Sequence, residues 1–337
     1  MKFTVGYSSM HDKEYLDYIV QNKDKIYEVY FSWGDIPNGR NNQLVNENMY
    51  PWQVTNKQIS DLKFLYENEI KLNLLLNANC YGEESLSRAF FNRIGDLIDY
   101  LFLSFGLSSI TTTSPIIAKF VKNNFPDINV RASVNMEIGT IMGMEYLSDY
   151  FDGFYMKKEN NRRHQEIKTL KSWCDENNKQ LFMLANSGCL NNCSAHTYHN
   201  NLVAHETNLN KYDNAYQFSG ICWEHLKKEG NILSEIKDTN FVRPEDIYLY
   251  EDYFTAAKLA TRISNNPIKI LRAYFEKKYS GPLLDLLEPN HSSVFYPHII
   301  ENSKIPSDFA KKVMECKKNC QQCDYCKTVL ENAKVLL

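Results

Sequence analysis

Glycine and proline are scarce, 13 and 10 among 337 residues, so no collagen-like repeat or flexible low-complexity linker accounts for a long stretch of the chain. No apolar run approaches the roughly 18 residues that a membrane-spanning helix needs. The opening, MKFTVGYSSMHDKEY, reaches charged residues too early for a secretory signal. Net charge is small, −3 with a pI near 6.3, which removes any overall pull toward anionic membranes or phosphate backbones. Nucleic acid could bind only through a local basic patch. The nucleophile elbow GxSxG, the zinc-protease motif HExxH and the P-loop are all missing, which argues against hydrolysis by a familiar nucleophile. These absences lead us to expect a compact protein of the cytoplasm with no membrane partner.

What is present is apolar and aromatic. At 43% hydrophobic and 13% aromatic content, the chain can bury enough surface to offset its ordering entropy, as one large domain or a domain with a small appendage. Short β-prone runs alternate with amphipathic stretches, the pattern of strands and helices around a parallel sheet. Strands are expected at Phe3–Tyr7, Ile26–Ser32, Lys71–Asn77, Tyr100–Ser104, Asn129–Val134, Gly153–Met156, Gln180–Ala185 and Ile247–Tyr250. Helices are expected at Lys57–Asn68, Glu84–Leu97, Pro115–Asn123, Asn161–Asn177 and Phe254–Ser264, with Ser114 as N-cap before a first-turn proline. The fold class is therefore α/β, a (β/α)8 TIM-like barrel over residues 1–278. A polar insertion at about 195–242 interrupts it, and a cysteine-rich extension over 279–337 wraps it.

Nine cysteines is an odd number, and in a reducing compartment clustered thiols are better explained as metal ligands than as disulfides. Cys189 and Cys193 follow directly on the seventh strand, so they emerge at the barrel face where βα loops build active sites. Cys222, in the insertion, is the first choice for a third ligand. Cys80, just beyond the third strand, is the candidate for the fourth. Cys174 lies in a helix pattern and reads as a core or surface thiol. Near the C-terminus, Cys316, Cys320, Cys323 and Cys326 fall within eleven positions, which points to a shared metal, either zinc or a second cluster. Its spacing contains that of radical-SAM enzymes, but their motif follows the first strand. His196, His199 and His205 trail Cys193 and could ligate metal or move protons.

The chain resembles the collagenase-like peptidase family U32 and its barrel-shaped relatives. The resemblance rests on the NxNC of Asn77–Cys80, the SVN of Ser133–Asn135, the ENNR of Glu159–Arg162, NSGCLNNC with its histidines, and FVRPEDI followed by KLATR. It implies a 4Fe-4S cluster on Cys189, Cys193 and Cys222, with Cys80 as fourth ligand. It also implies oxygen-independent hydroxylation or a related modification of a small or tethered substrate, such as quinone precursors or RNA bases among relatives. Some relatives act in pairs, which implies a homo- or hetero-oligomeric partner. The C-terminal four-cysteine group is not a general feature of the family.

Around the metal, strand ends should supply Trp33 and Arg40, Asn77 and Asn79, Asn135, Glu159 and Arg162, and Asn186, with Arg262 nearby. Of these, Arg40, Asn77, Asn135, Glu159 and Arg162, together with His196 and His199, are the candidate catalytic residues. Arginine and asparagine at such places fix a carboxylate or amide by directed hydrogen bonds. Glu251 and Lys258 are expected to pair. An iron–sulfur redox enzyme is the leading expectation. A zinc-dependent peptidase or hydrolase is the alternative, and an RNA- or protein-binding partner with a structural metal is the third.

Overall fold

In a computed structural model of the chain, which describes residues 1–39 and 49–337, eight parallel strands close into a barrel. They are β1 (Phe3–Gly6), β2 (Ile26–Phe31), β3 (Leu72–Leu76), β4 (Ser109–Thr112), β5 (Asn129–Ala132), β6 (Gly153–Tyr155), β7 (Gln180–Leu184) and β8 (Ala256–Lys258), and β8 pairs back onto β1. Six of the eight expected strands lie in place. The helices α1 (Lys13–Gln21), α2 (Pro51–Glu67), α3 (Arg88–Phe105), α4 (Pro115–Asn124), α5 (Ile141–Glu145) and α6 (His164–Glu176) fill the first six crossovers. Ser114 caps α4 as expected, its side chain accepting from the Ile117 N–H at 3.2 Å.

Two expected strands are corrected. The run at Tyr100–Ser104 belongs to α3, which buries Phe90, Ile94, Leu97, Ile98, Leu101 and Phe105, a helical stripe that outweighs the local β-prone run. Gly106, at φ +58, ends α3 in the left-handed conformation and lets the chain turn into β4. Ile247–Tyr250 lies in a 3-10 turn that Pro244 opens, and the true last strand, Ala256–Lys258, falls inside the stretch expected to be a helix from Phe254 to Ser264.

The insertion after β7 forms α7 (His196–Ala204), α8 (Glu206–Leu209), α9 (Ile221–Leu226) and α10 (Ser234–Lys237); α11 (Pro267–Glu276) then completes the barrel. The extension contains α12 (Ser292–Phe295), α13 (Phe309–Met314), α14 (Tyr325–Ala333), and a small antiparallel pair of β9 (His298–Ile300) with β10 (Lys334–Leu336). Its apolar cluster of Leu283, Leu284, Phe295, Ile300, Phe309 and Leu330 also takes in Ile236 and Phe241 from the insertion, so insertion and extension share one small core.

Strand residues alternate between the helix layer and the barrel interior. Phe3, Val5, Val29, Phe31, Leu72, Leu74 and Leu76 join the main core. The alternate set is polar across half of the barrel. Glu28 accepts from Asn73 Nδ2 at 2.7 Å and Ser109 Oγ at 3.0 Å, and pairs with the Arg131 guanidinium; Asn73 also donates to Thr111 at 2.9 Å. Arg131 lies over Phe182, 4.6 Å from its ring centre. Every charge in this layer has a partner, as burial requires.

Candidate active site at the barrel mouth

Loops leaving the C-terminal ends of the strands bring side chains together at one rim. From β3, Asn77 accepts the Gly39 N–H at 3.0 Å; from β5, Asn135 donates to the Asn77 carbonyl at 3.4 Å, and Asn79 donates to the Asn135 carbonyl at 3.4 Å. A Cβ on Gly39 would fall 2.8 Å from Asn135 Nδ2 and 2.9 Å from Asn77 Nδ2, so only glycine lets this loop close on the two amides. Asn77 and Asn135 therefore stand together at the mouth.

Beside them lies an acid–base group. Glu137 adopts φ +54 at the end of the turn Val134–Met136, which carries its carboxylate toward the insertion. Its Oε1 is 2.9 Å from His196 Nδ1 and 3.6 Å from Lys158 Nζ, while Lys158 Nζ is 3.2 Å from His196 Nε2. The hydrogen bond from His196, outweighing partial burial and aided by the charges of His196 and Lys158, holds Glu137 down at about 2. Glu159 is buried next to this group, 3.8 Å from Lys158. Further in, Lys258 Nζ rests 4.0 Å from the Tyr30 ring centre and 5.6 Å from that of Tyr155. Arg262 donates to Asn38 at 2.9 Å, and Asn186 is locked between the Ala260 and Leu286 carbonyls. A groove of about 1010 Å³ between α1 and α11, lined in part by His11, Arg262, Arg272 and Lys278, lies alongside.

The cysteines divide by place. Cys189 lies in the β7 loop, where Gly188 N–H donates to the Glu288 carbonyl at 2.9 Å and Glu288 N–H to the Asn186 carbonyl at 3.0 Å. Cys222, at the start of α9, lies beside His291. His291 Nδ1 is also 2.6 Å from Glu235 Oε1, a charge contact off the hydrogen-bond axis, and both residues are buried. Burial pulls His291 down, but Cys222 and Glu235 outweigh it and hold the ring up at about 9. Thus the Cys189 loop and Cys222 converge on one short segment, Glu288–His291. Cys193 precedes α7, whose His196 joins the acid–base group and whose His199 ring stands 5.5 Å from that of Phe218. Cys80 sits at the β3 end, half a turn of the barrel from β7, and its sulfur accepts the Gly82 N–H at 3.4 Å. The insertion reaches toward it: a Cβ on Gly82 would lie 4.0 Å from the His205 ring. Cys174 is a buried core thiol. Among the described residues, no three His, Cys, Asp or Glu side chains stand close enough to hold a metal ion as placed.

Two expectations change, and a third cannot be placed. Arg162 does not face the mouth: it is buried beneath the extension, donating to the Ile236 carbonyl at 2.7 Å and stacking on Phe241 and Phe309, because the turn Lys158–Arg162 points its last side chain outward from the barrel. Glu251 pairs with Lys277 at 2.7 Å and the N-terminal amine at 3.2 Å instead of Lys258, which points into the barrel. Arg40 lies outside the described residues. The sequence reading also missed Glu137, Lys158, Glu235 and His291. Glu137 and Lys158 flank the SVN and ENNR motifs, and that adjacency is the signal that could have found them.

No protein-family model matches the chain. It is 24% identical over 285 residues, 82% of this chain and 80% of the other, to an uncharacterized protease of Methanocaldococcus jannaschii. The solved structure of a U32 peptidase superposes with a TM-score of 0.54 at 12% identity, covering 77% of this chain and 91% of that one, which shows a shared barrel fold. The chain is thus similar in sequence to an archaeal protein named as a protease and shares its barrel fold with a U32 peptidase.

Proposed function

We propose that this chain is an iron–sulfur redox enzyme that carries out an oxygen-independent hydroxylation or related modification of a small or tethered substrate. Cys189, Cys193 and Cys222 would hold a cluster of the 4Fe-4S kind over the barrel mouth, with the fourth position taken by Cys80 from across the mouth or by His291 beside Cys222, which would give up its ring proton on binding. The observation that carries this reading is the convergence of the Cys189 loop and Cys222 on Glu288–His291, although the two cysteines are far apart in sequence. The donor chemistry fits, because these thiols are half-buried soft ligands of the type that iron–sulfur clusters select. A cluster bound there would supply electrons one at a time. The chain's own residues have separate tasks: Asn77 and Asn135 orient a substrate amide or carboxylate, and Glu137, His196 and Lys158 hold and move a proton at His196.

Iron and acid-labile sulfide content with an electron paramagnetic resonance spectrum, all on anaerobically purified protein, tests this. We expect a brown protein that loses its cluster in Cys189→Ser and Cys193→Ser variants. A colourless, iron-free anaerobic preparation would sink the proposal. Comparing Cys80→Ser with His291→Ala identifies the fourth ligand. A zinc-dependent peptidase is the second reading, favoured by the protease relative and by the oriented His196. It predicts stoichiometric zinc and chelator-sensitive peptide cleavage.

A further inference from the structure

Arg162 is a buried cation without a carboxylate of its own. Its side chain is 3% exposed, and among the described residues its Nε and Nη2 find no hydrogen-bond partner. Its contacts are the Ile236 carbonyl and the faces of Phe241 and Phe309, 4.6 and 5.3 Å from the guanidinium. Of the two carboxylates near it, Asp246 is already engaged by both Nε and Nη2 of Arg243 at 2.6 and 3.1 Å, and Asp238 faces Lys237 at 3.3 Å. A buried charge left in this state is costly unless an opposite charge faces it.

The extension brings four thiols to that side. The turn Lys158–Arg162 packs on α13, and Cys316 follows α13 directly, its sulfur accepting the Lys318 N–H at 3.4 Å where Lys318 takes φ +59. The same sulfur-accepting turn occurs at Cys80. The chain then reverses, and Cys326 returns in the first turn of α14, half-buried, while Cys316, Cys320 and Cys323 are exposed. Cys326 packs against the same apolar cluster as Phe241 and Phe309, the two rings that the Arg162 guanidinium covers, so the end of the cysteine loop comes back beside that cation.

We propose that Cys316, Cys320, Cys323 and Cys326 close a four-thiolate metal centre and that Arg162, reaching out from the barrel, is its counter-charge. Four thiolates around one zinc ion, or around an oxidised 4Fe-4S cluster, leave about two net negative charges, which meets the buried cation in either case. The cysteine loop is exposed and held at both ends by helices, so gathering the sulfurs is a local change. The barrel and the extension are thereby joined by charge as well as by the shared apolar core, and Arg162 is a positioning residue for the centre. This does not rest on a cluster at the barrel mouth.

The full chain, purified without air, is measured for zinc, iron and sulfide in the wild type, in Cys320→Ser/Cys323→Ser and in Cys189→Ser/Cys193→Ser. The C-terminal pair should lose one metal centre and keep whatever the mouth cysteines hold. Unchanged metal content overturns the proposal, whereas loss only in the mouth variant bears on the proposed function alone. Thermal unfolding then closes a double-mutant cycle. Arg162→Met should lower Tm in the metal-loaded chain and leave it unchanged or raise it in the Cys320→Ser/Cys323→Ser background, where the cation has lost its partner. Equal lowering in both backgrounds means a purely structural arginine and overturns the pairing. If Arg162→Met does not fold, Arg162→Lys replaces it: lysine keeps the charge, so Tm should fall less in the loaded chain than in the cysteine variant, and equal falls again overturn the pairing.

Discussion

Glu137 shows how single side chains at the mouth depend on one another. Its carboxylate is held at about 2 in the folded chain against an ordinary value of 4.5, so the stabilisation it provides is present above pH 4.5 and is lost as pH falls toward 2. Its side chain is about one-third exposed, and solvent screening limits the effect to about 1 kcal/mol. Glu137→Gln should cost about that much at neutral pH, and the difference should shrink with acidification, as read by urea midpoints at pH 7 and pH 3. An undiminished gap at low pH would show that the carboxylate charge is irrelevant. Such a residue is hard to see in a sequence, because Glu137, Lys158 and His196 come from three different loops and meet only when the barrel closes. Asn77 and Asn135 were legible because each stands at the C-terminal end of a strand, Asn77 directly after β3 and Asn135 in the turn that follows β5. Arg162 was legible as a strand-end residue but not in its direction, since a turn of a few residues can aim its last side chain to either side of the sheet.

At the level of elements, periodicity and caps decided most outcomes. α4 was readable from Ser114 and Pro115 together, and its cap is a concrete target: Ser114→Ala should cost about 1 kcal/mol by denaturant unfolding, with Gly a smaller loss. A neutral alanine would mean that solvent satisfies the first-turn N–H groups as well as the serine does. β4 and β8 escaped the reading for different reasons. β4 is the four-residue SITT, too short and polar to stand out beside the apolar run that ends α3. β8 is three residues, AAK, held between β7 and β1 by barrel closure, with little local propensity of its own.

For the molecule as a whole, the insertion and extension behave as one cap on the barrel flank. Arg243 donates to the Ile305 and Pro306 carbonyls, Glu245 accepts the Tyr279 N–H at 2.6 Å, and Ile236 and Phe241 sit in the extension's apolar cluster. A chain ending at residue 278 would expose these groups together. It should aggregate or unfold well below the full-length protein in a calorimetric scan, and an unchanged transition for residues 1–278 would show the barrel to be self-sufficient. No helix among the described residues is long and apolar enough to cross a membrane.

The polar interior of the barrel carries a further consequence. Glu28 is gripped from β3, β4 and β5 at once, through Asn73, Ser109 and Arg131. Side chains alternate inward and outward, so sliding any one of these strands by a single residue would swing its gripping group into the helix layer and strand a bare carboxylate inside. Oily side chains would tolerate such a slip at modest cost; a carboxylate does not. The four strands therefore carry a combination lock, in which one acidic side chain checks the alignment of three neighbours before the barrel can shut.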